Sequence, residues 1–85
     1  MEHRLKTTSD LFEEVYSGRK KFEVRLGDKN IKEGDILILQ EIDENREFTG
    51  REVRKKATFV RRTKDFNFWS QEQINEQGLV IAQLE

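Results

Sequence analysis

The apolar residues of this chain change period at Gly18. Upstream, Leu11, Phe12, Val15 and Tyr16 fall at i, i+1, i+4 and i+5, one stripe of a helix of about two turns. Downstream, Phe22, Val24 and Leu26 alternate with Lys21, Glu23 and Arg25, the spacing of a strand. A glycine between them suits the left-handed conformation that ends a helix. The alternation predicts Phe22, Val24 and Leu26 on the core side and Lys21, Glu23 and Arg25 on the other. Lys20 is in phase with the apolar set, so it lies before the strand or reaches into a partly buried cleft.

Strand patterns dominate the remainder. His3 to Lys6 forms a short first strand, and Asp10 with Glu13 has capping-box spacing at the start of the helix. Gly27-Asp28-Lys29-Asn30 and Gly34-Asp35 are turn signals. Ile36-Leu37-Ile38-Leu39 has no polar interruption, which predicts a strand buried on both faces. Ile42 to Arg51 reads as an exposed hairpin loop, Glu52 to Arg62 as a long strand and Leu79 to Leu84 as the last one. Between Thr63 and Gly78 there is no clear period, but Ser70-Gln71-Glu72-Gln73 predicts a helix from Ser70 to Glu76. These elements predict an α+β, mainly β fold: a small, nearly closed β-barrel of about five or six strands with one or two short helices, since closure removes exposed sheet edges. A chain of 85 residues makes this one domain, 1–85.

Charge and composition exclude several classes of function. Lys and Arg number 16 and Asp and Glu 17, a net charge of -1, so a nucleic-acid ligand would need a local basic patch. There is no Cys, and His3 is the only histidine. Disulfides, thiolate metal sites and multi-histidine metal sites are thereby excluded, and no metal or cofactor is expected. No apolar run approaches the roughly 20 residues of a membrane span. Met1-Glu2-His3-Arg4-Leu5 lacks the apolar core of a signal peptide. A soluble, cytoplasmic monomer without a membrane partner is the plain expectation.

The candidate site is the junction Gly18-Arg19-Lys20-Lys21-Phe22-Glu23-Val24-Arg25. Polar ligands gather at such handovers because backbone and side-chain groups converge there. Lys20, Glu23 and Arg25 are the candidate ligand residues; the competing reading is a solvated charge stripe or an internal ion-pair network. Arg51, Arg54, Lys55, Lys56, Arg61, Arg62 and Lys64 form the largest basic concentration. Alternation splits them between two faces, either as charges defending an edge strand or as phosphate contacts. Phe66, Phe68 and Trp69 either plug the barrel end or stack on bases, and Trp69 is the candidate stacker.

In order and spacing, His3-x-Leu5-Lys6, Phe12, Gly18-x-Lys20-x-Phe22-Glu23-x-Arg25, Gly34-Asp35-Ile36-Leu37, Glu41 and Thr49-Gly50-Arg51 resemble the ASCH domain superfamily of PUA-like β-barrels. The chain looks most like a small uncharacterised ASCH-related group from bacteria and their phages. It departs from that pattern at Asp28-Lys29, where related domains often have Asp-Arg, and at Phe48, where a Tyr is common. The resemblance implies RNA or nucleotide binding in a cleft beside the helix. Lys20 and Arg25 would hold phosphate or a base edge, Glu23 would accept from a base amino group, and His3, Lys6 and Arg51 would belong to the ligand site. It also admits an enzyme. Some members of the superfamily are similar to amidohydrolases that deacylate acetylated cytidine with a lysine and a threonine; Lys20 matches the lysine, and Glu23 stands at the threonine position. Glu23 could serve there as a general base with Lys20 polarising a carbonyl, or the set could support ribonuclease-like attack by a ribose hydroxyl. A protein-interaction module is the third class, with no specific sign in the residues.

Overall fold

The computed structural model describes residues 1–63, 70, 72 and 78–85. Among them the elements run β1 (Glu2–Thr8), α1 (Ser9–Tyr16), β2 (Phe22–Leu26), β3 (Ile36–Ile42), β4 (Phe48–Arg62) and β5 (Leu79–Leu84). The strands lie in the order β1-β3-β4-β5-β2; β1 and β3 are parallel and every other pair is antiparallel. This is the expected α+β, mainly β architecture, with five strands in a curled sheet and one short helix.

Curling follows from β4, whose 15 residues pair first with β3 and then with β5. Its second pairing is interrupted between Ala57 and Phe59, where Thr58 is the extra residue of a bulge. The bulge switches the strand's face: its more buried residues are Val53, Lys55 and Ala57 before it, and Val60 and Arg62 after it. Such an insertion bends a strand and increases its twist.

The core joins Leu5, Val15, Ile31, Leu37, Leu39, Ala57, Val80, Ala82 and Leu84. Leu37, Ile38 and Leu39 are all fully buried, so β3 is covered on both faces as its unbroken apolar run implies. Helix α1 packs on β1 and β3, burying Phe12 and Val15 completely while Leu11 and Tyr16 stay exposed. A two-turn helix on a curved sheet touches it along one narrow line, here the i, i+3 pair. The Tyr16 ring instead stacks on Phe12, centroids 5.9 Å apart.

Three local expectations are corrected. Phe22, Val24 and Leu26 face outward and Glu23 is 4% exposed, the reverse of the predicted phase. Register with β5 sets this: Glu23 lies opposite Ala82 and Arg25 opposite Val80, and both partners point into the core. The capping box is absent, because β1 runs straight into the helix. Thr8 is the N-cap and makes no side-chain cap bond; its hydroxyl donates to Asp10 Oδ1 at 2.7 Å. The hairpin loop is only 43–47, since Asp43 Oδ1 accepts the N–H groups of Asn45 and Glu47 at 2.8 and 3.0 Å and turns the chain tightly. The predicted helix Ser70–Glu76 and the residues Lys64, Phe66, Phe68 and Trp69 lie outside the described residues, Ser70 and Glu72 excepted. No helix among the described residues is long and apolar enough to cross a membrane.

Candidate functional site

Strands β1 and β2 end the strand order, and among the described residues no ladder joins them. The gap between them is a cleft of about 310 Å³. Strand β1 contributes Lys6 and Thr7, α1 contributes Leu11, and the 20–25 segment contributes Lys20, Phe22, Glu23, Val24 and Arg25.

The cleft depends on how the helix ends. Gly18 adopts a φ of 86°, its N–H bonding the Val15 carbonyl at 3.0 Å while the Lys20 N–H bonds that of Glu14 at 2.9 Å. The chain turns back and leaves Lys20 just before β2. Its Nζ donates to the Phe22 carbonyl at 2.8 Å, lies 3.2 Å from Glu23 Oε1 and stands 4.7 Å from the Phe22 ring centroid. Arg25 Nε donates to Glu23 Oε2 at 2.5 Å, and its Nη2 donates to the Lys6 carbonyl at 2.9 Å. A carboxylate as buried as Glu23 is costly unless paired and hydrogen-bonded, and here a cation holds each oxygen. Two cations, Lys20 and Arg25, face one carboxylate, a local charge of +1; Lys6 lines the cleft, but its Nζ lies 5.8 Å from the Phe48 ring centroid. Around them Leu11, Phe22 and Val24 supply apolar wall. The arrangement suits a small anionic ligand with a flat apolar part.

His3 and Arg51 lie elsewhere. The His3 Nε2 is 2.8 Å from Asp35 Oδ2, and the same carboxylate accepts the Lys32 N–H at 3.0 Å and bonds the Met1 amine at 3.2 Å. The His3 bond, then the Lys32 N–H, hold the Asp35 carboxyl down at about 2. Arg51 belongs to a brace beneath α1. Its Nη1 bonds Glu13 Oε1 at 2.7 Å and lies 3.7 Å from Glu41 Oε2, with its guanidinium carbon 5.0 and 5.2 Å from the Phe12 and Tyr16 ring centroids. The Thr49 hydroxyl donates to Glu41 Oε1 at 2.7 Å. That bond is the main cause holding the Glu41 carboxyl below its ordinary value, and the Glu13 bond raises Arg51. Thr49-Gly50-Arg51 is itself a bulge: the ladder passes from the Gln40–Glu52 pair to the Ile42–Phe48 pair, and Gly50 takes a φ of 95°. The Glu41 and Thr-Gly-Arg matches therefore meet in space, but away from the cleft.

Among the described residues the arginines of the basic strand are engaged, whereas Lys55 and Lys56 have no side-chain ion pair. Arg54 bonds Glu2, Arg61 lies 3.9 Å from Glu33, and Arg62 donates to the carbonyls of Gly27, Lys29 and Ile31. Trp69 lies outside the described residues. Sequence reasoning missed Leu11, Thr7, Phe22 and Val24 as cleft walls. The available signal was Thr7, a polar residue two positions beyond Leu5 and therefore on its inward face; it is 5% exposed.

A family model described as a domain of unknown function, DUF3850, matches residues 2–74. The chain is 35% identical over 72 residues to an "Uncharacterized 12.9 kDa protein in GpA 3'region" of Escherichia phage P2, covering 85% of this chain and 62% of that protein. It thus spans less than two thirds of that relative. The crystal structure of hypothetical protein PH0355 matches with a TM-score of 0.63 at 22% identity, over 100% of this chain and 98% of that one. At that identity the likeness is one of fold.

Proposed function

We propose that this chain, which belongs to the family described as a domain of unknown function, DUF3850, is an ASCH-related, PUA-like module that binds RNA or a nucleotide in the cleft between β1 and β2. One observation carries the reading: Lys20, Glu23 and Arg25 converge with Lys6 in a concave gap that has apolar walls. A nucleobase has flat apolar faces and a polar edge. Leu11, Phe22 and Val24 suit the faces, Glu23 suits an amino group on the edge, and Lys20 and Arg25 suit a phosphate.

Titration of the labelled protein with CMP, UMP, AMP and GMP, followed by NMR, tests it. Amides of residues 18–26 should shift in a saturable way with at least one of them. If they stay unmoved with every nucleotide and with short RNA, the ion pairs are structural and the reading fails.

One distance favours a second reading, a hydrolase of modified nucleosides: Lys20 Nζ lies 3.2 Å from the Glu23 carboxylate. A lysine polarising a carbonyl beside a carboxylate that activates water is a workable pair. Incubation with acetylated cytidine decides it. Glu23→Gln should abolish turnover while the fold persists, and no product from the wild-type protein at high concentration retires the activity for that substrate.

A further inference from the structure

A second cavity, about 400 Å³, opens beside the cleft and shares Lys6 and Arg25 with it. Arg4 and Lys6 come from β1, Arg25 from β2, Lys29 from the turn after β2, and Arg46 from the β3–β4 loop. Five cations line this groove and no carboxylate does. That is unexpected in a chain with a net charge of -1, whose β4 arginines are matched to glutamates or carbonyls.

Compensation inside the groove is sparse. Glu2 lies 3.8 Å from Arg4, and Glu23 holds Arg25. Among the described residues the side chains of Lys6, Lys29 and Arg46 have no ion pair; the Lys6 Nζ sits 5.8 Å from the Phe48 ring centroid. Cations crowded without counter-charge repel one another, and an anion relieves that repulsion. Arg46 adds an independent sign. It adopts a φ of 63°, a conformation that favours glycine or asparagine, yet a long cation stands there at the groove.

We infer that this groove is the track for the phosphate backbone of a single-stranded RNA, one base of which occupies the adjoining cleft. The inference rests on the cleft being a nucleotide site and extends it: the preferred ligand is a strand rather than a free nucleotide. Arg25 and Lys6, common to both cavities, sit where base and backbone part. Backbone tracks of this kind bind without strong sequence preference and with marked salt dependence.

The test uses a fluorescein-labelled uridine hexanucleotide with the full chain, CMP as the mononucleotide and a polyglutamate peptide of equal charge. Three or four phosphate contacts predict a slope of about -2 to -3 in log affinity against log salt, and Lys29→Gln with Arg46→Gly should make it shallower by about 1.4. CMP affinity should move less than about twofold, because a mononucleotide gains nothing from a strand's remaining phosphates. Arg46→Gly alone should raise the melting temperature, since glycine suits that φ, yet weaken the hexanucleotide; loss of both binding and stability would mark a structural residue and count against the track. No hexanucleotide binding at low salt, an unchanged slope in the double variant, or equal affinity for polyglutamate each overturns the inference. If CMP shifts residues 18–26 while the groove substitutions are silent, the track is wrong and the cleft reading stands. If the hexanucleotide depends on the groove while neither it nor any of the four mononucleotides shifts residues 18–26, the cleft reading fails and the inference, which puts one base there, is overturned with it.

Discussion

Arg25 reaches across from β2 to donate to the carbonyl oxygen of Lys6 on β1, at 2.9 Å, while its Nε holds Glu23. One guanidinium thus joins two strands that share no ladder. A fully closed barrel would satisfy these edges with backbone bonds. Here a side chain spans the gap, and a side chain can be displaced by a ligand where a ladder cannot.

Arg25→Lys tests that bridge. The ammonium keeps the charge but cannot reach Glu23 and the Lys6 carbonyl with separate donors in a fixed fork. Loss of one charge-assisted bond should cost about 1–2 kcal/mol in urea unfolding. Amide exchange along β1 should quicken, and nucleotide binding should weaken. Wild-type unfolding together with wild-type exchange would show that the bridge does not hold the seam.

The helix separates core from cleft by single residues. Phe12 is wholly buried, and Phe12→Ala should cost roughly 3–5 kcal/mol. Leu11 is 46% exposed and lines the cleft, so Leu11→Ala should change stability by less than about 1 kcal/mol while weakening ligand binding. Denaturation and titration of both variants check this; a large stability loss at Leu11 would place it in the core instead.

These contrasts show what could be read from the residues. Apolar pattern revealed β3 and α1 because burial follows it at Leu37, Ile38, Leu39, Phe12 and Val15, although Leu11 and Tyr16 of the same helix stripe stay exposed. It could not reveal which side of β2 faces in. Period two defines two faces, and the register with β5 chooses between them, putting Glu23 opposite Ala82. Lys20, Glu23 and Arg25 were legible as a set because they lie within six residues of sequence. The Glu41–Thr49 bond was not, since it needs a bulge that brings Gly50 to a positive φ. Nor was the basic groove, whose cations come from two strands, a turn and a loop.

Arg51 should behave as a brace. Its guanidinium covers the Phe12 and Tyr16 rings and serves Glu13 and Glu41. Arg51→Ala should lower the melting temperature by several degrees and leave the nucleotide shifts of residues 18–26 in place. Loss of binding with unchanged melting would return Arg51 to the ligand site.

Asp35 predicts an acid limb in stability. Its carboxyl falls from an ordinary 3.8 to about 2 in the folded protein, first through His3 and then the Lys32 N–H. A depressed pKa contributes stability that is fully present above 3.8 and is lost as pH falls through 2. Asp35→Asn should therefore be less stable than wild type at neutral pH, and the difference should close between about pH 4 and 2. Urea unfolding at several pH values reads this directly; a difference that stays constant down to pH 2 would assign the acid sensitivity to other groups.

Glu23→Gln asks what the buried carboxylate reads. As an anion it accepts but never donates. It can take a hydrogen from the amino group of cytosine, whereas uracil presents a carbonyl there and would be repelled. A matched edge contact discriminates by about 1–3 kcal/mol, so the wild-type protein should prefer CMP to UMP by roughly 5- to 150-fold. Glutamine offers a donor as well as an acceptor, and the preference should collapse to within a few-fold. Removing the anion also takes the cluster of Lys20, Glu23 and Arg25 from +1 to +2, so inorganic phosphate should bind more tightly to Glu23→Gln than to wild type. Parallel titrations of both proteins with CMP, UMP and phosphate separate these effects. An equal CMP-to-UMP ratio in the two proteins would mean that Glu23 holds Lys20 and Arg25 in place without touching the base.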